Sequence, residues 1–296
     1  MNTSLQLDTV RQLTNTTHLA RNAHDVEFLV VARPDGEAVI SLLGAQLLHF
    51  APKNQPNWLW LSKSSKLDGS RGIRGGVPLC WPWFGPSPER VGLGKPQHGF
   101  ARTLAWQLDG ISETTENTLI HLSLSASDAS RELWPHEFEL ELDILLGDSV
   151  TLLLTSRNTD TTPWTYSGAL HSYFEIARPE AVRVSGLGER FIDKLDNSTL
   201  KPGGLFTLDQ AVDRIYDQAD EKIILERGYP TLTLHNHNAD SIVVWTPWTG
   251  GANMPDFDND GWRSMLCVES AITDPAGITL APDEEHSLCV MIQAAN

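Results

Sequence analysis

Apolar and polar positions alternate with period two along much of the chain. Phe138, Leu140, Leu142, Ile144 and Leu146 alternate with Glu139, Glu141 and Asp143. Successive side chains of a strand point to opposite faces, so this run has one buried face and one wet face. After Gly147-Asp148, Val150, Leu152 and Leu154 alternate with Thr151 and Thr155, which predicts an antiparallel hairpin about a tight turn. Ile120, Leu122 and Leu124 repeat the pattern between His121, Ser123 and Ser125. Shorter runs at 27–32, 38–43, 58–61, 181–184, 231–235, 241–245, 265–269 and 287–292 predict further strands, with Gly, Pro, Asn and Asp between them. Helical spacing is scarce: residues 8–23 are predicted as a short amphipathic helix and 208–216 as a helical turn or two.

Many short strands without a βαβ rhythm define an all-β protein, a large antiparallel β-sandwich. No repeat or linker divides the chain, so one domain is expected over residues 1–296, with 1–25 allowed as an N-terminal extension. Two segments interrupt the strands. Residues 69–102 are dense in Gly, Pro and aromatics and carry Arg71, Arg74, Arg90 and Arg102. Residues 248–263 form a second irregular stretch, leading into the strand of Glu269. Long irregular segments inside a compact fold are usually functional loops.

Charge narrows the choice of ligand. Lys+Arg 22 against Asp+Glu 38 gives a net charge of −16, which excludes a sequence-independent grip on nucleic acid. An anionic ligand would need a few local Arg side chains. The three cysteines, Cys80, Cys267 and Cys289, make no disulfide framework and fit a reducing, cytoplasmic setting. The polar N-terminal stretch does not read as a signal peptide, and no apolar run approaches the ~20 residues that span a bilayer, so no membrane partner is expected. A monomer is the default. Ten Trp offer flat faces suited to sugar rings as well as to cores.

Several chemistries fail on context. Gly72–Gly76 and Gly92–Lys95 do not lie between a strand and a helix, and Pro78 and Pro96 oppose helix initiation, so neither is a phosphate-cradling loop. There is no G-x-S-x-G elbow and no Cys-x-x-Cys pair. His235-Asn236-His237 puts two imidazoles on one strand face, which would serve a metal-dependent β-barrel isomerase given a carboxylate, yet any polar strand face shows that spacing. Glu269 is more informative. On a strand it shares a face with Cys267, flanked by apolar neighbours, so it is expected to be partly buried and raised toward general-base duty. His98 and His171 are by themselves ordinary candidates.

Arg74-Gly75-Gly76-Val77-Pro78, continued by Pro82-Trp83-Phe84-Gly85, resembles the R-G-G-[IV]-P and P-x-F-G stretches of D-hexose-6-phosphate mutarotases, the glucose-6-phosphate 1-epimerases of the galactose mutarotase-like (aldose 1-epimerase) superfamily. Residues 97–102, 169–174, 212–216 and 267–271 resemble further blocks of that family in the same order. The resemblance implies a β-sandwich with an open cleft and interconversion of α and β anomers of a hexose 6-phosphate without a metal or organic cofactor. Carried over by motif, Glu269 is implied as general base and His171 as general acid, with Arg74, Gln97, His98, Arg102 and Asp213 binding the sugar phosphate. An unperturbed His titrates at about 6.5, so modest electrostatic help is expected to keep His171 an imidazolium. Arg74 and Arg102 suit a phosphate, whose oxygens a guanidinium fork matches. Trp81, Trp83, Phe84 and Trp248 are candidates for stacking on a pyranose or for anchoring loops. Two alternatives stay open: a non-catalytic carbohydrate-binding sandwich, and a mutarotase for unphosphorylated aldoses.

Overall fold

The computed structural model describes residues 5–273 and 275–295. The hairpin forms as its alternation dictates. Phe138–Leu146 pairs with Val150–Asn158, Leu152 lying opposite Ile144 and Leu154 opposite Leu142. The two strands join a nine-stranded backing sheet in the spatial order Phe206–Thr207, Val182–Ser185, Lys222–Arg227, Leu232–His237, Glu285–Ala294, Val150–Asn158, Phe138–Leu146, Thr118–Ser125, Gln107–Glu113. Facing it is the cleft sheet, ordered Thr199–Pro202, Arg190–Asp193, Val212–Tyr216, Ser241–Thr246, Met265–Ile272, Gly168–Leu170, Leu79–Cys80, with Tyr173–Glu175 also paired to Met265–Ile272. A five-stranded meander over Asp8–Gln12, Thr17–Arg21, Glu27–Arg33, Gly36–Ser41 and Gln46–Pro52 completes the large sheets.

The main core lies between the backing and cleft sheets. Leu140, Leu142, Ile144, Leu152 and Leu154 meet Val244, Leu266, Val268 and Ile272 there. The intervening residues of Met265–Ile272, Cys267 and Ala271, belong to separate apolar clusters on the other face. Strand alternation thus gives the cleft sheet a core side and a cavity side. Trp81 and Trp83 are fully buried core residues: Trp81 packs edge-on against Phe100 and Trp134, and Trp83 donates to the Pro96 carbonyl. They anchor the loop and are not free to stack on a sugar.

Three expectations need correction. Residues 8–23 form the antiparallel pair Asp8–Gln12 and Thr17–Arg21, not a helix. The second strand pairs with Glu27–Arg33, and the Thr16 and Thr17 hydroxyls donate to the Glu113 carboxylate, so tertiary pairing and β-branched threonines win. The described part of the N-terminal stretch is therefore built into a sheet; residues 1–4 lie outside the described residues. The 208–216 segment contains the strand Val212–Tyr216, held between Arg190–Asp193 and Ser241–Thr246. Residues 58–61 make only the isolated bridges Leu59–Phe174 and Leu61–Gly75. Among the described residues no helix is long and apolar enough to cross a membrane.

Candidate active site

Cross-strand registers lay out the cavity side of the cleft sheet in rows. Asp213 lies opposite Trp245, Trp245 opposite Cys267, and Cys267 opposite Tyr173. The neighbouring row runs Ile215, Val243, Glu269. On its far side the Glu269 strand meets two short segments, with Leu170 opposite Ser270 and Tyr173 opposite Cys267. The register is continuous across the gap between them, so His171 falls opposite Glu269. His171 and Ser172 belong to neither short strand, yet each keeps an in-register backbone bond: the His171 N–H donates to the Pro78 carbonyl at 3.0 Å, and the Ser172 carbonyl accepts from Val268 N–H at 3.1 Å. Side chains opposite one another across a ladder meet, and His171 Nδ1 sits 3.3 Å from Glu269 Oε1.

Backbone folding brings the loop residues to the same place. Gly76 N–H donates to the Trp60 carbonyl and Val77 N–H to the Leu47 carbonyl, both at 2.8 Å. Gly76 has φ +60°, and a Cβ there would collide with the Leu47 carbonyl oxygen. That close passage is why the stretch after Arg74 is glycine. Arg74 is held by Tyr173 Oη at 3.1 Å and by Asp256 at 3.2 Å. His98 takes φ +64°, its N–H donating to the Gly85 carbonyl at 2.7 Å and its Nδ1 accepting from Gly85 N–H at 3.1 Å. An accepting Nδ1 leaves the proton of the neutral ring on Nε2. Arg102 Nη2 donates to the Gln97 carbonyl at 2.8 Å.

Arg74, Gln97, His98, Arg102, His171, Asp213 and Glu269 all line one cavity of about 300 Å³. Phe84, Lys194, Trp245 and Met254 line it too; Arg71, Arg90 and Trp248 do not. Sequence reasoning missed Lys194 and Asp256, which stand in no alternation or motif that marks them. Among the described residues neither Arg102 nor Lys194 pairs with a carboxylate, so two free cations face the cavity of an acidic chain. His235 is only half-buried, beside Gln293 at 3.3 Å, and His237 is exposed. Neither belongs to a cluster of three His, Cys, Asp or Glu groups close enough to share an ion; among the described residues only His171, Cys267 and Glu269 form one.

Electrostatics correct one further expectation. Glu269 is 1% exposed, and burial, reinforced by Asp213 and opposed by Arg102, holds its carboxyl well above the usual range. Burial also pushes His171 down, and His98, Arg102 and Arg74 add to the effect. The same causes, burial first and then Arg102 and Arg74, push His98 down to about 3. Burial thus favours the neutral form of both groups, and the guanidiniums further disfavour the imidazolium expected from the sequence. The guanidiniums and the lost water outweigh the neighbouring carboxyl group. His171 Nδ1 and Glu269 Oε2 are buried without a hydrogen-bond partner.

The chain is thus an antiparallel β-sandwich whose cleft sheet brings a buried imidazole and a buried carboxyl group to one cavity of about 300 Å³. The family model for aldose 1-epimerase matches residues 28–293. A Salmonella typhimurium protein provisionally named glucose-6-phosphate 1-epimerase is 33% identical over 276 residues, 91% of each chain. An Escherichia coli K12 protein of the same provisional name is 34% identical over 85% of each chain. The crystal structure of a Salmonella typhimurium protein provisionally described as a mutarotase superimposes with a TM-score of 0.91 at 31% identity, covering 98% of this chain and 97% of that one. The chain belongs to the aldose 1-epimerase family.

Proposed function

We propose that the protein interconverts the α and β anomers of a hexose 6-phosphate, with glucose 6-phosphate, named for its relatives, as the first substrate to test. The observation that carries this reading is the 3.3 Å pair of His171 and Glu269 in a cavity that also presents unpaired Arg102 and Lys194. In the productive state Glu269 is a carboxylate and takes the proton of the anomeric hydroxyl, while His171, as imidazolium, gives one to the ring oxygen. The ring opens, the aldehyde turns about C1–C2, and closure on the other face reverses both transfers. Each acid or base step contributes typically ~10²–10⁴-fold, which suits a reaction already feasible in water.

Reaching that state from the neutral pair needs one proton to move from Glu269 to His171 across their short gap. The 6-phosphate dianion assists, because its charge beside Arg102 and Arg74 offsets the positive potential that disfavours an imidazolium. His98, held as the Nε2–H tautomer, donates to a sugar oxygen, and Asp213 and Gln97 hold hydroxyls. At a net charge of −16 the arginines act at short range, since the chain as a whole repels an anion.

Polarimetry on glucose 6-phosphate and glucose tests the assignment. Arg102→Ala should lower kcat/KM for the phosphorylated sugar by about tenfold to a hundredfold, the worth of one charge-assisted hydrogen bond, and leave glucose within about twofold. Equal losses on both sugars would contradict the assignment of Arg102 to the phosphate. Binding of the sugar phosphate without faster anomer exchange would make it a carbohydrate-binding sandwich.

A further inference from the structure

Cys267 has no part in that chemistry, yet it shares the cavity-side face of its strand with Glu269, two residues away, while His171 stands opposite Glu269 across the ladder. One ligating atom from each of the three residues lies within 4.8 Å of the other two, and all three residues are buried. Zinc bonds to Cys sulfur at about 2.3 Å and to His nitrogen or carboxylate oxygen at about 2.0–2.2 Å, so shifts of roughly half an ångström would bring all three onto one ion. His171 Nδ1 and Glu269 Oε2, buried in side chains 6% and 1% exposed, have no hydrogen-bond partner. A thiolate, an imidazole and a carboxylate form a borderline-soft set; His171 and Glu269 line the cavity, and Cys267 lies fully buried behind them.

We propose that His171, Cys267 and Glu269 form a three-ligand site for a divalent cation of the zinc class, and that its occupation blocks anomer exchange by taking both the acid and the base out of use. Binding replaces the Cys267 S–H bond by a sulfur–metal bond and releases that proton, with any proton on Glu269, to water; nothing is oxidised or reduced. Magnesium and calcium, which prefer oxygen ligands, are excluded by the sulfur and nitrogen donors. Only the blocking half of the proposal rests on the epimerase reading; metal binding stands on the geometry alone.

Titration of the full-length, metal-free protein with cadmium tests the site, because cadmium–thiolate bonds give an ultraviolet charge-transfer band. We expect the band to saturate at one equivalent, to be lost in Cys267→Ser, and to be competed away by glucose 6-phosphate. Zinc should inhibit the wild type, and Cys267→Ser, active without metal, should need about tenfold more zinc or above for the same inhibition, as expected when one of three ligands is removed. Cys267→Ala, checked by circular dichroism, repeats the test should the serine variant fold poorly. A missing band, or a band undiminished in both variants, overturns the site. A Cys267-dependent band without inhibition overturns the blocking role. The band is read without any turnover, so failure of the epimerase reading is distinguished from failure of this one.

Discussion

Glu269 carries an energetic burden that the proposed chemistry explains. Burial holds its carboxyl above the ordinary 4.5, so over the interval between that value and its own higher pKa the folded chain keeps a proton that the unfolded chain has lost. Stability falls as pH rises through such a window, and at neutral pH the residue works against the fold. Glu269→Gln removes the titration. It should gain stability over the wild type progressively as pH rises from 4.5 toward neutrality. Thermal melts of both proteins at the two ends of the window read this, and a difference independent of pH would contradict it. The strand face of Glu269 was legible from alternation with Leu266 and Val268. The protonation of His171 was not, because burial, which depresses it most, and His98, Arg102 and Arg74, which add to the effect, come only from the fold.

At the scale of elements, the site depends on two local departures from regular structure. One is the interruption between Gly168–Leu170 and Tyr173–Glu175, across which the register continues and holds His171 opposite Glu269. The other is the tight passage of Gly75 and Gly76 between Leu47 and Trp60, which aims Arg74 at Tyr173 and Asp256. An alanine at residue 76 would carry a Cβ at φ +60° against the Leu47 carbonyl. Gly76→Ala should therefore destabilise the fold by about 1–3 kcal/mol or more, the usual cost of such backbone strain, and displace Arg74. Urea unfolding reads the first effect and the KM for glucose 6-phosphate the second; an unchanged urea midpoint would show that the loop yields freely. Strong alternation made Phe138–Leu146 and Val150–Asn158 readable. Gln46–Pro52 was not, because five successive buried residues leave no polar face to alternate with. The Asp8–Gln12 and Thr17–Arg21 hairpin misled because its pairing partners are needed to tell its apolar spacing from that of a helix.

Over the whole molecule, the sandwich separates two tasks. The inner faces of the backing and cleft sheets supply the apolar core, and the outer face of the cleft sheet collects side chains from across the sequence. Arg74, Gln97, His98, Arg102, His171, Asp213 and Glu269 could be gathered in advance because ordered motif blocks surround each of them. Lys194 and Asp256 could not, since their importance comes only from the folds that bring them to the cavity and to Arg74. In the proposed reaction one imidazole and one carboxyl group, 3.3 Å apart, together open and close the sugar ring. NMR saturation transfer between the two anomers of glucose 6-phosphate tests it most directly, with wild type, Glu269→Gln and His171→Asn compared at equal concentration. Exchange above the uncatalysed rate is predicted for the wild type, with a loss of about 10²-fold or more in each variant while its circular dichroism is retained. Wild-type exchange no faster than in buffer, or full exchange in either folded variant, would contradict it.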